Sequence, residues 1–102
     1  MGYVDYQGTT YESSTIATGY GAYIAQPLLR NAVEGKEEVL TEEQATKILN
    51  DSMRVLFYRD ARSLNKIQRA TVTSEGIKIT EPYSLDTEWG FADRIRGYGA
   101  IY

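Results

Sequence analysis

Neither histidine nor cysteine occurs in the 102 residues of this chain. The first absence removes the commonest general base and the commonest transition-metal ligand together. The second rules out a disulfide framework and any thiolate nucleophile. No serine–histidine or cysteine–histidine hydrolase arrangement can be built from these side chains. No apolar run approaches the roughly 20 residues that a helix needs to cross a bilayer, and no basic-then-apolar signal segment opens the chain, so no membrane partner is expected. A basic excess is also missing: 11 Lys and Arg against 14 Asp and Glu leave a net charge of -3, which argues against a nucleic-acid partner. The scattered carboxylates Asp5, Asp51, Asp86, Glu88 and Asp93 show no spacing that suggests a metal site or an acid–base pair. Neither a metal nor another cofactor is expected.

What is present has the proportions of a globular chain, with 42% hydrophobic and 25% charged residues, and the length allows one domain at most or part of one. Charge is unevenly spread. Glu34, Glu37, Glu38, Glu42 and Glu43 precede a long helical stretch, and Arg54, Arg59, Arg62, Lys66 and Arg69 lie along its end and beyond. The helix macrodipole accounts for this order, since it favours acids at the start and bases at the finish. Nine tyrosines give mild support to an assembly component, because a large ring with a polar tip suits a surface that meets another.

Along the chain, residues 2–6 and 9–12 read as a hairpin around Gln7-Gly8, and 15–18 as a further short strand. Residues 22–33 are helical in composition, with Pro27 predicting either a kink or a fresh start there. Thr41 and Gln44 fit a capping box. Behind them Ala45, Ile48, Leu49, Ser52, Met53, Leu56 and Phe57 recur at helical spacing and predict one apolar face on a helix from about Glu42 to Arg59. Residues 67–73 and 77–81 read as strands joined by a three-residue loop with Gly76 in its left-handed position, ended by Pro82. A last helix is predicted over 87–96, capped by Asp86, with Trp89, Ala92 and Ile95 inward and Gly97 just past its end. Tyr98–Tyr102 then forms a tail that could reach a neighbour.

Two local features bear on chemistry. Gly19-Tyr20-Gly21 precedes a helix, where outward-pointing amides can hold an anion. Two glycines do not make a dinucleotide or P-loop pattern, and a tight strand-to-helix turn is the expectation. Asp60 lies just past a helix C-terminus, against the dipole, so compensation is required. Either its side chain bonds nearby backbone amides, or Asp60 and Ser63, flanked by Arg59 and Arg62, form a polar network aimed at a neighbouring group.

Three segments together, 2–11 (Gly-Tyr-Val-Asp with Gly-Thr-Thr-Tyr), 17–30 (Ala-Thr-Gly-Tyr-Gly-Ala-Tyr-Ile-Ala-Gln-Pro-Leu-Leu-Arg) and 53–63 (Met-Arg-Val-Leu-Phe-Tyr-Arg-Asp-Ala-Arg-Ser), resemble the C-terminal half of a proteasome core-particle β subunit of the non-catalytic kind. The remainder, including Trp89 and Gly97-Tyr98-Gly99, continues the similarity to the end. The resemblance implies an α+β fold that is the C-terminal part of an αββα four-layer sandwich of the N-terminal-nucleophile hydrolase type, with 1–102 as a single partial domain. In active members an N-terminal threonine attacks the peptide carbonyl with its own amine as base. An Asp and a Lys on early strands tune that amine, and an Asp and a Ser after the long helix, with a Ser between two glycines, support it.

Carried across by position, Asp60 and Ser63 match the loop supports, whereas Tyr20 stands where the serine between glycines would be and would crowd that corner. The threonine, the early Asp and the Lys belong to the half of the fold not matched here. The resemblance therefore implies no catalytic residue, with Asp60, Ser63 and Tyr20 as vestigial family positions. It implies a structural role in ubiquitin-dependent protein degradation, in cytoplasm and nucleus, with β subunits of the same and opposite ring and α-ring subunits as partners. Half-sheets leave unpaired edges and bare apolar faces, so the chain alone is expected to be poorly soluble or loosely folded. Two alternatives stay open: a catalytic threonine endopeptidase subunit whose N-terminal half is missing here, and an autonomous anion-binding module using Arg59, Arg62 and Arg69.

Overall fold

The structure, a computed structural model, describes residues 1–95. The chain forms two compact units, one over Met1–Leu64 and one beginning at Asn65. In the first, β1 (Gly2–Val4) pairs antiparallel with β2 (Thr10–Glu12), setting Tyr3 opposite Tyr11. Their rings stack with centroids 4.7 Å apart. The strands stop short of the expected bounds because Asp5 builds the turn: its Oδ1 accepts the Gln7 and Thr9 amides at 2.9 and 3.1 Å, and Gly8 supplies the positive φ of +82°.

Residues 15–18 are not a strand. Side chains claim the polar groups that a ladder would need. Gln26 Nε2 donates to both the carbonyl and the hydroxyl of Thr15, at 2.9 and 3.1 Å, and Ser13 Oγ accepts the Thr15 amide at 3.2 Å. Helix α1 (Gly21–Val33) follows and buries Gly21, Ala25, Leu29 and Val33, one residue per turn. It continues through Pro27, so no fresh start occurs there. Pro27 lies on the exposed face, so the ladder bond it cannot make falls on the solvent side.

After a 3₁₀ turn at Glu37–Val39, α2 spans Glu42–Arg59 with the expected capping box. Thr41 Oγ1 accepts the Gln44 amide at 3.2 Å, and Gln44 Oε1 accepts the Thr41 amide at 3.0 Å. A methyl group at Gly21 would stand 3.9 Å from Leu56 Cδ1, so the start of α1 meets the end of α2. Leu29 and Val33 at the other end share a groove with Ala45 and Ile48. The two helices are antiparallel neighbours. The expected apolar face of α2 is wider than α1 can cover: Ser52 is buried, Ala45, Ile48, Leu56 and Phe57 are half-buried, and Leu49 and Met53 stay 43% and 39% exposed.

In the second unit, β3 (Ala70–Thr73) pairs antiparallel with β4 (Gly76–Ile79). Thr73 sits opposite Gly76, so the link is two residues, Ser74-Glu75, and Gly76 closes the ladder at φ +130° instead of lying in the loop. Pro82 does not end the pairing. Ile67 and Tyr83 exchange both amide bonds at 2.8 Å. Between this bridge and the Thr80-to-Arg69 bond, Glu81 and Pro82 oppose the single residue Gln68. This bulge sets the proline where no ladder donor is needed.

Helix α3 occupies Gly90–Ile95, three residues later than expected, and Asp86 is not its cap. Asn65 holds the preceding segment extended: its side chain donates to the Leu85 carbonyl at 2.7 Å and accepts the Leu85 amide at 2.9 Å. Glu88 Oε1 instead accepts the Gly90 amide, at 2.8 Å. Trp89 is 45% exposed, not inward. Gly97 and the Tyr98–Tyr102 tail lie outside the described residues.

Candidate functional site

The residues singled out in the sequence gather at one end of the helix pair, where α1 begins and α2 stops. Gly19 takes φ +62° to make the turn, and Tyr20 occupies the position before α1 in helical geometry, with no side-chain cap bond. Tyr20 is 64% exposed. The amides that an anion would need are already taken. Gly21, Ala22 and Tyr23 donate to the carbonyls of Thr18, Gly19 and Tyr20 at 3.0–3.1 Å. The tight turn is the reading that the geometry supports, although no strand leads into it.

At the end of α2, the Asp60 amide donates to the Leu56 carbonyl at 2.8 Å, and the backbone turns extended at φ -102°, ψ 106°. The Asp60 carboxylate folds forward, its Oδ1 accepting the Arg62 amide at 3.0 Å. Ser63 bonds back twice to the Asp60 carbonyl, through its amide at 3.1 Å and its hydroxyl at 2.7 Å. Asp60 and Ser63 are thus brought together by the loop's own bonding, the local of the two arrangements left open by the sequence.

Arg59 and Arg62 are exposed in the first unit, whereas Arg69 belongs to the second and donates to Thr71 Oγ1 at 2.6 Å. Asp51 lies between Lys47, at 2.7 Å, and Arg54, at 2.9 Å. The Lys47 hydrogen bond, assisted by Arg54 and opposed by desolvation, holds the Asp51 carboxyl below its usual range. Among the described residues, no group of three or more acidic side chains stands close enough to hold a metal ion. No described helix is long and apolar enough to cross a membrane.

One feature escaped the sequence reading, an open groove of about 270 Å³ lined chiefly by Ile16, Leu29, Val33, Leu40, Ile48 and Leu49. Its signal is the outer half of the α2 stripe, which exceeds what one neighbouring helix can bury.

Comparison with known proteins gives this geometry its context. The family model for proteasome subunits matches residues 1–72, and the chain belongs to that family. Proteasome subunit beta type-4 of Xenopus laevis is 48% identical over 98 residues, covering 96% of this chain and 40% of that protein. Probable proteasome subunit beta type-7 of Schizosaccharomyces pombe is 44% identical over 100 residues, covering 97% of this chain and 38% of the relative. Proteasome subunit beta type-4 of Dictyostelium discoideum is 49% identical over 87 residues, covering 85% and 33%. The chain therefore spans between a third and two fifths of the length of these relatives, and it is within the beta type-4 and type-7 branch that its similarity lies.

Proposed function

We propose that this chain is part of a non-catalytic β subunit of the proteasome core, a structural component of a threonine-protease assembly whose hydrolysis is carried out by other subunits. The observation that carries the reading is similarity to beta type-4 and type-7 subunits over nearly the whole chain. The exposed apolar faces supply the physical reason for assembly. Val72, Ile77 and Ile79 on the β3–β4 ribbon are 72%, 68% and 66% exposed, and the groove and the outer α2 stripe are likewise uncovered in the first unit. Burying such surface is favourable by about 25 cal/mol per Å², so covering layers from the same subunit and its ring neighbours are strongly favoured. On this reading residues 1–102 are one partial domain of the αββα sandwich, and the partners are β subunits of both rings and α-ring subunits, in cytoplasm and nucleus.

Tyr20 in place of a small hydroxyl, and an Asp60–Ser63 loop closed on itself, support the absence of chemistry. The catalytic alternative gains nothing from either, and the anion-binding alternative gains nothing from the similarity to beta type-4 and type-7 subunits. The deciding experiment tags the full-length protein in its own cells and purifies what travels with it. Proteasome α and β subunits in near-equal amounts are expected, and a threonine-directed electrophile should label other subunits but leave this one unmodified. Recovery as a free monomer, or labelling of this subunit, overturns the reading.

A further inference from the structure

The run Arg59-Asp60-Ala61-Arg62-Ser63-Leu64-Asn65 contains neither glycine nor proline, and alanine, arginine and leucine are among the best helix formers. Asp60, Ser63 and Asn65 favour caps and turns over helix interiors, but no residue of the run forbids α2 from continuing past Arg59. The helix nevertheless ends there, and the boundary between the two compact units falls five residues on, after Leu64. We propose that Asp60 and Ser63 are positioning residues that form a helix-stop latch, and that their hydrogen-bonding capacity serves this junction instead of a reaction site. The Asp60 carboxylate captures the Arg62 amide, which in a continuing helix would donate to the carbonyl of Tyr58. Ser63 captures the Asp60 carbonyl with both amide and hydroxyl, withdrawing it from any later turn of helix. A carboxylate at a helix C-terminus is unfavourable to the dipole, so the turn it builds has to outweigh that opposition. The latch explains why these two side chains stand in a chain for which no catalysis is proposed. That these side chains serve the junction instead of a reaction site rests on the proposed function, whereas the bonds themselves are tested separately from it.

The test uses conservative pairs in the full-length protein, purified from its own cells with whatever co-assembles, and reads amide hydrogen exchange across 60–64. Asp60→Asn keeps an oxygen acceptor for the Arg62 amide and loses the charge, whereas Asp60→Ala loses both. Ser63→Thr keeps the hydroxyl donor and Ser63→Ala removes it. Exchange in the loop is expected to accelerate about five- to tenfold in the two alanine variants, the scale of one lost hydrogen bond, and to stay within about twofold of the parent in the other two. Should Asp60→Ala fail to accumulate, normal accumulation of Asp60→Asn supports the latch and its failure overturns it. Equal disturbance by Asn and Ala assigns the carboxylate charge to a partner outside the loop and sinks the proposal, as does unchanged exchange in all four.

Discussion

The helix pair and the β3–β4 ribbon solve the same problem to different degrees. In the first unit, α1 lays Ala25, Leu29 and Val33 against its surroundings at 4%, 7% and 7% exposure, because two amphipathic helices close in sequence can cover part of each other's apolar stripe. The described residues of the second unit supply the ribbon with no such packed helix. Its register places Val72 opposite Ile77 and Ala70 opposite Ile79 on one face, with Thr71, Thr73 and Lys78 on the other, and the apolar side remains bare. Among the described residues of that unit, Leu85 is the buried apolar one. A two-stranded ribbon is marginal by itself. The helices thus make part of their own stability, and on the proposed function the ribbon borrows most of its stability from the layers that cover it.

The sharpest way to break that contrast is a matched pair of truncations. Leu29→Ala should cost the helix pair about 2–4 kcal/mol, as deleting a buried leucine side chain does, in the free chain and in an assembly alike. Ile77→Ala should cost no more than about 0.5 kcal/mol in the free chain, where the side chain is already in water, and about 2 kcal/mol or more once a partner covers the face. Denaturant titrations of the helical signal measure the first, and hydrogen exchange of β4 in free and assembled protein the second. An Ile77→Ala cost that does not depend on assembly would refute the idea of borrowed burial.

Next in size comes the clamp that gives the second unit its order. Asn65→Ala removes both side-chain bonds to Leu85 and leaves the polar groups of a buried residue without those partners, a change worth about 1–3 kcal/mol. The expected result is faster exchange of the Leu85 amide with the β3–β4 ladder unchanged. Thr41→Ala, which removes half of the capping box, should cost about 1 kcal/mol, confined to the first turns of α2. Loss of protection spreading into the ribbon would show that the two units are coupled more tightly than their separate packing implies.

These side chains also mark where sequence reasoning reached and where it stopped. The bounds of α2 were legible because the capping box and the 3.6-residue period are both local, and they gave Glu42–Arg59 as found. Two of the errors share a cause, bonding between positions far apart in the chain. Residues 15–18 have strand composition, but Gln26, eleven residues on, occupies Thr15. Asp86 has the chemistry of an N-cap, but Asn65, twenty residues before Leu85, holds that segment extended. Pro82 reads as a stop until a bulge gives it a place. At the candidate site, the bonding of Asp60 to nearby amides was legible from its residue type and position. The roles attached to Asp60, Ser63 and Tyr20 came only from family resemblance, since no spacing within this chain encodes a group supplied by another segment.

The smallest effect expected concerns the solvent face of α2, the opposite extreme from the buried seam. Asp51 accepts from Lys47 one turn before it and from Arg54 three residues on, and its carboxyl is held below the usual value of 3.8. A depressed folded-state value means that the contribution is present above pH 4 or so and is lost as pH falls through the lower, folded value. Both charges of the Lys47 pair are largely in water, with side chains 77% and 49% exposed, so screening limits the benefit to a few tenths of a kcal/mol. Asp51→Asn should therefore be slightly less stable than the parent at pH 7, with the difference fading as pH falls below the ordinary carboxylate value. In 1 M salt, where the screening length is about 3 Å, most of the difference at pH 7 should vanish as well. A difference that survived both acid and salt would trace to the shape and propensity of the side chain, and the Lys47–Asp51–Arg54 ladder would then carry no electrostatic stabilisation.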